Sequence, residues 1–375
     1  MQQIDKKASR EEKMARAFIR KFMLSAIGAI AMSTLAQEAN AQADPILLYQ
    51  GPDREKRLLE GARKEGQVVI YSAMIVNQAL RPLVDSFNKK YPGVRASYWR
   101  GDSEDIAAKL AAEYRAKNLG VDVVEGTGVG ELVIEANLVQ PFFTPEVAHV
   151  PENLRDPRKL WAPTRLSYFS VAYNTRLVPP EKAPKTFEDL LDPQWKGKMS
   201  WRIGSSSGTT LFITNLRMAW GEEKAMDYFR KLADQKIVNF GSGSARTLVD
   251  RVIAGEYPIA LNIFAHHPLI SAAKGAPASS QLMDPVATTT ATVAIPKGVR
   301  RPHAALLLVD YIISKEGQQI LSSADYFPVR PDVDPKTELA RVVPHKAGVP
   351  QNFVLPEALG KYGDSSEKIF QDLFR

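Results

Sequence analysis

The chain has 375 residues, no cysteine and a formal charge of +7. Without cysteine there is no disulfide framework, no thiol nucleophile and no lipid-modified cysteine. Outside the N-terminal leader, basic and acidic residues are interspersed with no long like-charged run, which argues against nucleic acid as a partner.

Residues 1–41 have the pattern of a secretory leader. Seven lysines and arginines precede an apolar stretch over 22–35, and Ala39-Asn40-Ala41 fits the small-x-small cleavage rule. The apolar stretch falls short of the ~20 residues that a spanning helix needs. The expected product begins near Gln42, carries a net charge near +4 and diffuses freely in a periplasm without a lipid anchor. About 330 remaining residues can bury a large core and suggest two lobes.

Apolar β-rich runs at 68–71, 94–99 and 121–124 alternate with helical patterns. The helices are expected at 54–64, through Leu80, Leu83, Val84 and Phe87, and through Ile106, Leu110 and Tyr114 behind a cap at Asp102 or Ser103. That β-α-β-α-β series predicts an α/β lobe with a largely parallel sheet. Residues 167–174 alternate, as a strand with one wet face would, and 184–198 are rich in turns. A second α/β set follows, with strands at 199–201, 259–263 and 288–295 and helices at 209–219, 224–233 and 303–321. The expected division is lobe 1 at 42–165 and 285–340, lobe 2 at 166–284, and a C-terminal helical segment at 341–375. Two such lobes leave a cleft, which is where ligands prefer to bind.

Several residues could form an anion pocket in that cleft. Ser72, Arg100 and Thr127 each sit at the C-terminal edge of a predicted strand, where open α/β sheets place ligands. Arg100 is either a fork of donors to a carboxylate or phosphate or a surface arginine. Ser205, Ser206 and Ser207 lie in a Gly/Ser loop before a helix, and Ser244 and Arg246 repeat that arrangement. Both loops also have an alternative reading as ordinary helix caps. Tyr168 and Tyr326 are either cleft walls or core. The chain lacks G-x-S-x-G, H-E-x-x-H and P-loop patterns, so no enzyme is expected.

Longer stretches resemble the periplasmic solute-binding proteins of ABC importers, specifically the ferric-iron-type group. They are VVIYSAMIVNQALRPLVDSFNKKYPGV near the start, PKTFEDLLDPQWKGK at 184–198, AIPKG at 294–298, KEGQQIL at 315–321 and YFPVRP at 326–331. The resemblance implies a two-lobed, type II periplasmic-binding-protein fold with mixed sheets, flanking helices and a hinge that closes on ligand. It also implies delivery to permease subunits with their cytoplasmic ATPase, by a monomer without a resident cofactor. Iron binders of this group carry an adjacent tyrosine pair in the second lobe; here the matching strand leads to His266-His267. Imidazoles suit Fe(II), Zn, Cu or Ni better than Fe(III). The cargo is therefore expected to be a small anionic solute or a metal complex. The alternatives are a metal ion held by His266 and His267, with Glu125 or Asp102 completing the shell, and a ligand sensor that docks on a membrane receptor.

Overall fold

The computed structural model describes residues 44–204, 207–241 and 244–375. The expected leader, Ser205 and Ser206 lie outside the described residues. The first strands are β1 (Gln67–Ser72), β2 (Arg95–Arg100), β3 (Val123–Thr127) and β4 (Val139–Gln140). Then come β5 (Ala162–Asn174), β6 (Met199–Trp201), β7 (Val238–Asn239), β8 (Ile259–Phe264) and β9 (Ala278–Gln281). The last are β10 (Val286–Pro296), β11 (Phe327–Pro328) and β12 (Gln351–Phe353).

Their main path runs β2-β1-β3-β10-β5-β8-β6-β7. In the first lobe β1 pairs in parallel with β2 and β3, and β10 closes the set antiparallel to β3. In the second, β6 is parallel to both β7 and β8. The apolar runs at 68–71 and 121–124 arise because helices cover both faces of a parallel sheet. Val68, Ile70 and Val123 pack with Phe87, Leu306 and Ile312 in one core. Trp201, Phe212, Phe229 and Ile259 form another.

Strand β5 serves both lobes. Its first half pairs with β10, from Ala162 against Val293 to Tyr168 against Thr288. Its second half pairs with β8, from Phe169 against Phe264 to Tyr173 against Ile259. The alternation at 167–174 predicts one wet face, but every residue from Ser167 to Asn174 is buried. The polar positions are buried beside hydrogen-bond partners: Ser170 Oγ donates to Ile263 O, and Asn174 Nδ2 donates to Val252 O at 2.8 Å.

The helix expected over 303–321 is two helices, Pro302–Ile313 and Lys315–Ser323. Ser314 takes an extended backbone (ψ 159°) and its hydroxyl accepts from Gly317 N, so it caps the second helix and breaks the first. The C-terminal segment forms the helix Pro356–Phe374, which drives Phe370 fully into the core around Trp201. No helix among the described residues is long and apolar enough to cross a membrane.

Candidate binding site

A cavity of about 120 Å³ lies where the strand ends of the two lobes face each other. From the first lobe come Arg100, at the end of β2, and Thr127, at the end of β3. From the second come Ser207, Ser244, Arg246, His266 and His267. Tyr326 also lines it, and its hydroxyl accepts from Ile75 N at 3.2 Å. The expected pocket residues that are described thus converge, with two exceptions.

Ser72 lies inside the fold instead of in the cavity wall. Its hydroxyl donates to Glu125 Oε2 at 2.5 Å and accepts from Met74 N at 3.1 Å. It therefore orients the buried carboxylate of Glu125, which in turn pairs with the lining residue Arg165. Tyr168 is also core. It packs on Phe327 at 4.7 Å between ring centres, and burial raises its phenol above the usual range.

The lining residues that escape the sequence reading include Arg165, Ser167 and Arg202. Arg165 is the one charge inside the apolar β5 run, and that oddity was its signal. It is 5% exposed, pairs with Glu125 and holds its guanidinium 4.8 Å from the Tyr326 ring centre. Arg202 follows β6 directly, the same edge position that marks Arg100. Its Nη1 donates to Ser207 Oγ at 2.6 Å, and its Nη2 lies 3.9 Å from Glu104.

The loop that carries Ser207 is fixed by a close backbone approach. A Cβ on Gly208 would meet Arg202 O at 2.5 Å, so only glycine fits. Asn262, at φ 53°, donates to the carbonyls of Ser207 and Gly208 and ties that loop to β8. Ser244 caps the helix Ala245–Ala254 by accepting from Thr247 N at 3.2 Å. That places Arg246 in the first turn, where Nη2 meets Asp250 at 3.0 Å and Nη1 lies 3.5 Å from His267 O.

The cavity thus gathers Arg100, Arg165, Arg202 and Arg246. Asp102 offsets Arg100 at 2.7 Å, and Glu125 offsets Arg165. Between them stand two buried imidazoles, 4.5 Å apart between ring centres. Both ring nitrogens of His266 and Nδ1 of His267 lack a hydrogen-bond partner. Burial is the main force that holds both below their ordinary range, His267 at about 3, and the arginines add to it. Both rings are uncharged at neutral pH, so each can donate one bond and accept one. Glu125, a candidate metal ligand, is already engaged by Ser72, Thr164 and Arg165. Among the described residues no group of three or more histidines, aspartates or glutamates is placed to hold a metal ion.

A two-lobed α/β fold with a polar, arginine-lined cavity at facing strand ends defines a solute receptor. The chain belongs to the family described as bacterial extracellular solute-binding protein, whose profile matches residues 119–345. Within it the resemblance is to the ferric-type receptors of ABC importers, and the role is solute binding for import, not catalysis. An uncharacterized protein of Haemophilus influenzae is 29% identical over 277 residues, covering 69% of this chain and 76% of that one. An Fe(3+)-binding periplasmic protein of Serratia marcescens is 23% identical over 276 residues, 72% of this chain and 80% of that one. Among solved structures, AfuA of Actinobacillus pleuropneumoniae, with fructose-6-phosphate bound, superposes at a TM-score of 0.67. It is 25% identical and covers 83% of this chain and 99% of that one. The Trichodesmium protein in complex with iron and citrate superposes at 0.66 with 21% identity, over 83% and 100% of the two chains, a likeness of fold.

Proposed function

We propose that this chain captures a small solute bearing a phosphate or carboxylate group and delivers it to an ABC permease from the periplasm. One observation carries the reading: four arginines from both lobes converge on one cavity that also holds two uncharged histidines. Guanidinium forks match carboxylate and phosphate oxygens and make short, charge-assisted bonds. The same groups repel a bare cation, so a metal would enter most readily as a complex that presents its own carboxylates. The bound anion draws both lobes together, which supports hinge closure with boundaries near 165/166 and 284/285, within or beside β5 and β10. Export by the 1–41 leader, action as an unlipidated monomer and the absence of a resident cofactor complete the proposal.

Arg246→Ala tests it. The Arg246–Asp250 pair is exposed, and such pairs contribute about 0–1 kcal/mol, so the fold should persist. One charge-assisted bond is worth about 1.5–3 kcal/mol, hence about a 10–100-fold loss of affinity. Calorimetry with ethyl phosphate at pH 7.5 reads it, and unchanged affinity removes Arg246 from the site. Native mass spectrometry of periplasmic extract would identify the retained cargo.

A further inference from the structure

Beside the arginine-lined cavity lies a larger one of about 520 Å³ with the opposite charge. Glu104, Asp105, Glu131 and Glu135 line it from the first lobe, and Asp364 and Glu367 from the C-terminal helix. Asp102, Glu104 and Arg202 belong to the walls of both cavities, so the two are neighbours across these three side chains.

Acidic lining alone would be a solvated surface, but Glu131 is different. It is 6% exposed, and its Oε1 is buried with no hydrogen-bond partner. A buried polar atom left unpaired is unfavourable and calls for an occupant that completes it. Burial, with Glu104 and Glu135 nearby, raises its carboxyl to about 8, so an arriving positive charge would favour its ionised form. Leu132, Ile203 and Leu359 supply apolar wall between the carboxylates.

We propose that this chamber receives the protonated amine of a zwitterionic solute whose anionic group sits among the arginines next door. The inference rests on the anion-site reading above. An ammonium group has three N–H donors and can satisfy carboxylates that stand apart. A bare divalent cation needs them gathered, and no such group of three or more occurs among the described residues.

Calorimetry at pH 7.5 with ethyl phosphate and O-phosphoethanolamine decides it, since the two differ by the amine. The amine-bearing probe should bind at least tenfold more tightly to the unaltered protein. In Glu131→Gln/Glu135→Gln, which touch only the second cavity, that ratio should fall to within about twofold of one, while ethyl phosphate keeps its affinity. Equal affinities for both probes in the unaltered protein would overturn the zwitterion inference and leave the anion site standing. If neither probe binds, the anion site itself is wrong and this inference falls with it.

Discussion

Replacing Glu125 by glutamine should destabilise the fold by about 3–5 kcal/mol, the cost of leaving a buried charge without its partner. Glu125 is fully buried at β3 and takes bonds from Ser72 Oγ at 2.5 Å, Thr164 Oγ1 at 3.1 Å and the Arg165 guanidinium. Glutamine keeps the volume and one acceptor oxygen but removes the charge opposite Arg165, whose side chain is 6% exposed. The contrast is Arg246–Asp250, a pair of partly exposed groups where the same surgery costs at most about 1 kcal/mol. Urea unfolding at pH 7 measures both. A loss below about 1 kcal/mol in Glu125→Gln would mean that Arg165 draws its stability from water in the cavity and not from the carboxylate. Glu125→Gln/Arg165→Met should recover much of the loss, because an apolar pair of similar size tolerates burial better than a lone charge.

This pair also shows where sequence reasoning stops. Edge positions were legible: Arg100, Thr127, Ser207, Ser244 and Arg246 line the cavity because strand ends and helix starts are local features. Ser72 satisfied the same rule, yet its side chain turns inward to Glu125, and strand position does not set that direction. Arg165 sits mid-strand, where no edge rule applies; it reaches the cavity only because β5 passes between the lobes. For the same reason the polar positions of 167–174, which alternate like a wetted face, are buried. The break at Ser314 is local in cause but weak in sequence, since serine interrupts a helix only when its hydroxyl finds a backbone donor. The second cavity needed the C-terminal helix folded back beside the helix Val129–Glu135, a contact across more than half the chain.

The two histidines should make the empty protein sensitive to mild acid, and the sign follows from their burial. In the unfolded chain each imidazole titrates near about 6.5; in the fold both are held lower, His267 at about 3. Below about pH 6.5 the unfolded chain therefore binds protons that the folded chain refuses. Stability falls as pH drops, by up to about 1.4 kcal/mol per pH unit for each imidazole. Glu131 and Asp122 oppose this, since burial raises them to about 8 and 6 and the fold takes up their protons first. The histidine contribution is thus read as a difference: His266→Asn and His267→Asn should each gain stability relative to the unaltered protein as pH falls from 6.5 to 5.5. A pH-independent difference in urea midpoints would mean that the rings are hydrated and titrate normally. An anion in the cavity must raise the imidazole values, so its binding takes up protons and tightens as pH falls. A metal on the same nitrogens finds them already unprotonated in this range, so the rings should give its binding little pH dependence. Sulfate keeps its charge across this range, so its affinity between pH 7.5 and 5.5 tests the anion site. An increase supports the anion beside the histidines, and a decrease would remove the histidines from the anion site.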